Sequence, residues 1–485
     1  MMRKFRESLI SLIIGTVGMM QAGEKPNIVV ILADDMGYGE LSCLNPEKGK
    51  IKTPALDQIA SEGMVFTDGH SGSSVCTPTR YGLMTGRYAW RTKLQSGVLT
   101  GGESLIKADR LTVAKLLKGQ GYDTAMIGKW HLGMLFDGKK ESGKVAVGTK
   151  VSHGPIERGG FDVFHGFHHA RQMSLWIDGQ EVTKNLEPVE MLPMLTQAAV
   201  DYIDGRKGQE KPFFLYVPWN SPHSPVVPSK EWKGKSGLNA HADFVMQTDA
   251  SYGQVVDALK RNGLYENTLV ICSADNGTSA PTSKMKDLIS KGHHPSADLR
   301  GSKADLWDGG HRVPFIVSWP GKVKAGTRSD ALVCLTDVMA TAADILDVNL
   351  PASEGVDSLS MLPALTGKKE GVRTNVVHHS VSGLFAIRDG EWKLLISPGS
   401  GGWTAPRPGA AAAKGEPMLQ LYNMDKDLGE QNNLIESMPE KAKALRGLLD
   451  MQIERGRSTP GEAQKNDVPI KVEKISQVKK NKKKK

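Results

Sequence analysis

An α/β fold is predicted, with one large, mixed but mostly parallel sheet sandwiched by helices and a smaller C-terminal antiparallel sheet closed by a helix. Three observations carry this. Asn27-Ile28-Val29-Val30-Ile31-Leu32 and Leu269-Val270-Ile271-Cys272-Ser273 are uninterrupted apolar runs of strand length, the pattern of strands buried on both faces. Between them, segments with helical apolar spacing alternate with further apolar runs, the order of a parallel sheet whose crossovers are helices. After Leu362 to Gly371 the pattern changes to short strands joined by tight turns.

In chain order, Arg3, Lys4 and Arg6 precede the apolar stretch Leu9 to Met20, and Ala22 offers a small residue for cleavage. Residues 1–22 therefore read as a secretory signal, since a membrane helix needs about 20 apolar residues. No later run approaches that length, so an exported, periplasmic or secreted protein without stable membrane insertion is expected. The first strand, 27–32, ends in Asp34-Asp35. Thr53-Pro54 opens a helix with cap and first-position proline, supported by Leu56, Ile59 and Ala60. Pro78 predicts a helix starting near Cys76. Leu111 to Leu117 reads as another helix, Thr124 to Ile127 and Phe213 to Val217 as strands. Leu384 to Arg388 and Trp392 to Ile396 flank Asp389-Gly390, a hairpin turn. Gly399 to Gly415 is a loop, Leu421 to Met424 a strand and Pro439 to Arg455 a closing helix. The resulting division is a large domain over 23–371, an α+β subdomain over 372–458 and a basic, disordered tail over 459–485.

The formal net charge of +9 suggests a polyanion-binding surface, but its distribution removes that inference. Lys471 to Lys485 carries +7, and Arg3, Lys4, Arg6 and Glu7 carry +2, so the body between them is neutral. A nucleic-acid partner is not expected. The lysine run from Lys479 is low in complexity and reads as a solvating tail. The cysteines are Cys43, Cys76, Cys272 and Cys334, and nothing in their spacing supports a bridge. Cys272 lies inside a predicted strand as a small core residue.

Asp34 and Asp35 fall just beyond the carboxyl end of one strand, and Asp275 and Asn276 just beyond another. Ligands of open parallel sheets bind at that edge. Three carboxylates and one amide oxygen, without thiolate or imidazole, suit calcium, with magnesium second. Taken singly, each pair also fits an Asx turn or a helix cap.

Cys76-Thr77-Pro78-Thr79-Arg80, continued by Leu83-Met84-Thr85-Gly86, resembles the signature of the type I sulfatases, with Thr79 where that family usually has serine. Gly128-Lys129-Trp130-His131, Gly160-Phe161-Asp162-Val163-Phe164, Ser221-Pro222-His223, Lys303 and Gly309-Gly310-His311-Arg312-Val313-Pro314 follow the family's order, so the resemblance covers nearly all of the chain beyond residue 22. It implies an alkaline phosphatase-like fold, a formylglycine made from Cys76 by a maturase, and a calcium ion held by Asp34, Asp35, Asp275 and Asn276. The aldehyde hydrates to a geminal diol, one hydroxyl attacking sulfur while the other later expels sulfate. Arg80, Lys129 and Lys303 neutralise the sulfuryl oxygens, His131 orients or deprotonates the diol, and His223 protonates the leaving oxygen.

The substrate expected from this resemblance is a sulfated carbohydrate, with an aryl sulfate as the simpler case. His168, His169 and Arg171, with His165 and the loop from Thr278 to His294, are the candidate substrate wall, although the same residues read equally as a surface loop. Two alternatives stay open: a phosphodiesterase or phosphonate monoester hydrolase of the same superfamily, and a non-catalytic protein that binds sulfated glycans.

Overall fold

A computed structural model describes residues 25–137, 145–169, 172–368 and 373–475. The expected signal segment 1–22, the boundary between 371 and 372, Arg171 and the lysine run from Lys479 lie outside the described residues. Ten strands form the main sheet: β1 (Asn27–Asp34), β2 (Met64–Phe66), β3 (Asp123–Lys129), β4 (Val163–Phe167), β5 (Leu175–Asp178), β6 (Glu181–Asn185), β7 (Phe213–Pro222), β8 (Thr268–Ala274), β9 (Phe315–Ser318) and β10 (Thr327–Ser329). Their spatial order is β10-β2-β9-β8-β1-β7-β3-β4-β5-β6. The five central strands, β8 to β4, are parallel, and antiparallel pairs lie towards both edges.

Residues of β1 alternate between two cores. Ile28, Val30 and Leu32 face α2 (Cys76–Thr85), α3 (Val113–Gly119) and the helix Val338–Ile345 through Leu83, Leu117 and Met339. Val29, Ile31 and Ala33 face α1 (Pro54–Glu62), α4 (Pro188–Asp204) and α5 (Ala240–Arg261) through Ile59, Leu195 and Val255. Both faces being covered is why the strand reads as a continuous apolar run. The expected helix 111–117 is shifted to Val113–Gly119 because the Thr112 hydroxyl accepts from Lys115 N–H and caps it there.

Four antiparallel strands, Asn375–His379, Phe385–Asp389, Trp392–Ile396 and Gln420–Asn423, make the second sheet, with the predicted Asp389-Gly390 hairpin in place. Helix Pro439–Glu454 seals it through Ala442, Leu445 and Leu449. The expected loop 399–415 contains a short helix, Pro408–Ala413, where the run Ala410 to Ala413 supplies strong helix formers. The chain from 459 to 475 lies against the body: Asp467 N–H donates to Arg91 O, Lys474 Nζ donates to Gln95 O, and Val472 is buried.

Register brings the functional edge together. Ala33 of β1 lies beside Ala274 of β8, and Asp34 beside Pro222 of β7. Asp34, Asp35, Asp275, Asn276 and His223 therefore emerge at one end of adjacent strands, and Lys129 closes β3 beside them. Gly128 (φ 147°) precedes Lys129 where a Cβ would stand 2.0 Å from Pro218 O, so only glycine lets the two backbones meet there.

Candidate active site

Cys76 is the first residue of α2, a helix buried along its whole length. Its thiol donates to Asp34 Oδ1 at 3.4 Å and lies 4.0 Å from Asp35 Oδ1, while Lys303 Nζ approaches Sγ to 3.5 Å. Burial, then the negative charges of Asp275 and Asp34, push the thiol well above its ordinary pKa. A thiolate nucleophile at this position is thus disfavoured.

Three carboxylates and three cations are interleaved around it. Arg80 donates through Nε and Nη2 to Asp275 Oδ2 at 3.0 and 2.8 Å and through Nη1 to Lys129 O at 2.8 Å. Lys129 Nζ pairs with Asp34, and Lys303 Nζ with Asp35. Burial alone raises the Asp34 carboxyl, but Lys129, His223 and Arg80 outweigh it and hold the group well below the usual range. Asp275 is pushed up to about 7 by burial and by Asp34, with Arg80 opposing. Asp35 (φ 67°) and His131 (φ 58°) hold left-handed backbone without being glycine, strain of the kind that clusters at functional sites.

The donor set suits a hard cation. Asp35 Oδ2 and Asn276 Oδ1 are buried and have no hydrogen-bond partner, an arrangement that costs free energy unless something binds them. Asn276 donates through Nδ2 to Asp35 Oδ1 at 2.7 Å, which fixes the amide beside that carboxylate and leaves its oxygen as an acceptor without a partner. Asp34, Asp35, Cys76 and His223 each place a possible ligand atom within 4.8 Å of the others. Of the four expected ligands, Asp275 is the most committed elsewhere, with Oδ2 on Arg80 and Oδ1 accepting from Asp35 N–H.

Both expected histidines are at the site. His223 donates from Nδ1 to Ser224 O at 2.7 Å, which leaves Nε2 3.8 Å from Asp35 Oδ2. His131 donates from Nε2 to Leu99 O at 2.8 Å, and its Nδ1 is buried without a partner. Burial, then Lys129 and Arg80, hold the His131 pKa well below the ordinary value, so the ring is neutral. His168 and His169 adjoin it, with His168 O accepting from His131 N–H at 2.7 Å and the His169 ring 6.0 Å from that of His131. Both are buried, unlike the surface loop that their sequence also allowed. His165 instead pairs with Asp178 at 2.7 Å and stacks on Trp176. The chain from Ala280 to Ser302, which links Asn276 to Lys303, walls a cavity of about 740 Å³ with Pro281, Met285, Pro295 and Leu299, completed by Thr404.

Sequence reasoning missed two groups. Thr77 bonds both His131 and Leu99, and nothing in its local sequence pointed to either partner. His70, His311 and His378 form a buried cluster between the two sheets, beside Lys393, Asp308 and Glu430. The His311 and His378 rings stack at 3.5 Å and 13°, so their in-plane lone pairs run side by side rather than converging on one ion.

A buried row of hard oxygen donors beside a residue at the head of a helix, ringed by cations, defines a metal-assisted hydrolase for a tetrahedral anion. The profile of the family described as Sulfatase matches residues 26–348. The chain is 31% identical to the N-acetylgalactosamine-6-O-sulfatase of Bacteroides thetaiotaomicron, over 89% of this chain and 93% of that protein. It is also 31% identical to human arylsulfatase A, over 90% of each. A solved protein from the metabolism of multiple glycosaminoglycans by B. thetaiotaomicron superposes with a TM-score of 0.79 at 27% identity, covering 88% of this chain and 99% of that one. Ps i-CgsB, solved with k-i-k-neocarrahexaose, superposes at 0.71 with 26% identity, over 88% and 92%. This chain belongs to the sulfatase family. It is a sulfuric ester hydrolase with the large mixed sheet and small C-terminal antiparallel sheet described above.

Proposed function

We propose that this sulfatase is an exported enzyme that uses residue 76 as formylglycine and a calcium ion to remove sulfate from a sugar of a sulfated glycan. The observation that carries the reading is the position of Cys76, at the head of a fully buried helix and within reach of Asp34, Asp35 and Lys303. Asp34, Asp35, Asp275 and Asn276 would hold the ion, which supplies Lewis-acid charge for the sulfate oxygens. Magnesium is the second choice.

The chain's own residues do the rest. One hydroxyl of the residue-76 diol attacks sulfur, and the bond from sulfur to the leaving alcohol breaks. His223, when protonated at Nε2 as well as Nδ1, gives that alcohol its proton. His131 Nδ1, a free lone pair on a neutral ring, accepts a proton from the diol. The second hydroxyl then passes its proton to His223 Nε2, vacated in the first step, its oxygen re-forms the carbonyl, and the sulfated oxygen departs with sulfate; water restores the diol. Arg80, Lys129 and Lys303, held beside residue 76 by Asp275, Asp34 and Asp35, would stabilise the negative charge that develops on the sulfuryl oxygens.

A sulfated glycan is favoured by the relative named as an N-acetylgalactosamine-6-O-sulfatase, a name that specifies a sulfated sugar. His168, His169 and Arg171 would line the sugar side, and the cavity bounded by Ala280 to Ser302 would take more of the chain. Export rests on the basic and then apolar pattern of residues 1–22. The proposed division is a catalytic domain over 23–371 and a subdomain over 372–458; the expected tail from 459 is corrected for 459–475, which lies against the body. The test is sulfate release from defined sulfated oligosaccharides, 4-nitrophenyl sulfate and a nitrophenyl phosphate diester. The protein is co-expressed with a maturase and compared with Cys76→Ala. Release that disappears in Cys76→Ala supports the reading; cleavage of the diester alone overturns it in favour of a phosphodiesterase.

A further inference from the structure

We infer that Thr77 is a positioning residue for the sulfatase reaction, acting with the backbone of Leu99 to clamp His131 in the tautomer that leaves Nδ1 free. The inference rests on the reading of His131 as the group that accepts the diol's proton. Three hydrogen bonds close a small ring. The Thr77 hydroxyl donates to His131 O at 3.0 Å and accepts from Leu99 N–H at 3.2 Å, while His131 Nε2 bonds Leu99 O at 2.8 Å. A carbonyl oxygen only accepts, so Nε2 must carry the proton. A neutral imidazole has one proton, and Nδ1 is therefore the lone pair.

The need for a clamp is visible in the backbone. His131 sits at φ 58°, a conformation that an L residue keeps only when its surroundings impose it. Its N–H is held by His168 O and its C=O by Thr77, one bond from each side. Leu99 belongs to an exposed strap with Gly97, Gly101 and Gly102 all at positive φ, and a Cβ on Gly97 or Gly102 would meet nothing within 4 Å. That strap is otherwise held by the Leu99 side chain, which packs on the core beside it, by Gly97 N–H on Val381 O and by a backbone bridge between Gly102 and Met134 at its far end. The hydroxyl at position 77 thus ties the middle of a glycine-rich strap to a strained histidine, next to the reacting residue. Valine at 77 matches threonine in shape but removes both bonds; serine keeps them.

The test compares Thr77→Val and Thr77→Ser, alone and in a His131→Asn background. Turnover of 4-nitrophenyl sulfate is normalised to the aldehyde content of the residue-76 peptide. Thr77→Val is expected to lower kcat about tenfold, about 1.4 kcal/mol, with KM within twofold, and Thr77→Ser to restore it. In the His131→Asn background, Thr77→Val is expected to add less than a twofold loss, because the group it serves is gone. Leu99→Gly lies outside the Cys76 to Arg80 signature and is expected to lower kcat severalfold through the same histidine, which covers the case in which Thr77→Val blocks maturation. Full turnover in Thr77→Val, a loss that adds independently to His131→Asn, or failure of serine to rescue would overturn the inference while leaving the sulfatase activity of the unaltered protein intact.

Discussion

Replacing Lys303 with methionine removes one charge and keeps most of the side-chain volume. Its ammonium group pairs with Asp35 and lies 3.5 Å from Cys76 Sγ, and only 6% of the side chain is exposed. The charge of Asp35 opposes burial strongly enough to raise the Lys303 pKa, so the group is a permanent cation across the working range. A preorganised donor to developing negative charge contributes about a hundredfold to a thousandfold in kcat, about 2.7–4 kcal/mol. The same change strips Asp35 of its ion-pair partner, and breaking a buried pair from one side costs about 3–5 kcal/mol. Unfolding entropy near 2.1 cal/mol/K per residue makes each kcal/mol worth roughly 1 °C in a chain of this size, so a fall in Tm of about 3–5 °C is expected. Turnover of 4-nitrophenyl sulfate, corrected for aldehyde content, and a thermal melt measure both. A kcat within fivefold of the unaltered enzyme would refute the placement of Lys303 at the reacting sulfate.

Chelation should abolish turnover, and calcium should restore it more fully than magnesium; at a hundredfold excess over Kd the ion should add about 2.7 kcal/mol of stability, read as a rise in Tm. Burial lowers the pKa values of His70, His311 and His378; Asp68 opposes it at His70, whereas Lys393 adds to it at His311 and the other two rings add to it at His378. Their folded values lie below the unfolded value of 6.5, so the stability they confer is complete above that pH and is lost as pH falls below it. Each contributes about 1.4 kcal/mol per pH unit once titrating only in the unfolded chain, and His378→Asn should flatten the acid limb of Tm against pH. Lys393 is buried between Asp308 and Glu430 at 2.6 and 2.8 Å, and Glu430 already stands at about 7, pushed up by burial first, with the Asp308 charge adding to it and Lys393 opposing. Lys393→Met should destabilise by about 3–5 kcal/mol, measured by denaturant unfolding, with kcat at 25 °C unchanged.

Much of the candidate site's geometry was legible because it is local. The apolar run of β1 and the Asp34-Asp35 pair that ends it are adjacent in sequence, and parallel strands place such ends side by side by rule. Cys76 and Pro78 likewise fixed a helix start that depends on nearest neighbours alone. What failed to show was set by partners far along the chain. Lys393 falls in the predicted hairpin strand from Trp392 to Ile396, whose local sequence names no partner for it; Asp308 and Glu430 are 85 and 37 residues away. The segment 459–475 reads as a tail because its charge is visible and its acceptors, Arg91 O and Gln95 O, are backbone atoms that carry no sequence signal. His168 and His169 were legible as candidates, but their burial against His131 follows from the end of β4 and was not.

The central claim is that the residue-76 diol attacks sulfur and leaves the bond between the sugar and its oxygen intact. Turnover of a sulfated sugar in ¹⁸O-labelled water tests it most directly, because the diol takes its oxygen from solvent. The account predicts one ¹⁸O in the released sulfate and none in the sugar alcohol, with no release from Cys76→Ala. Label in the alcohol would mean cleavage on the carbon side and would contradict it.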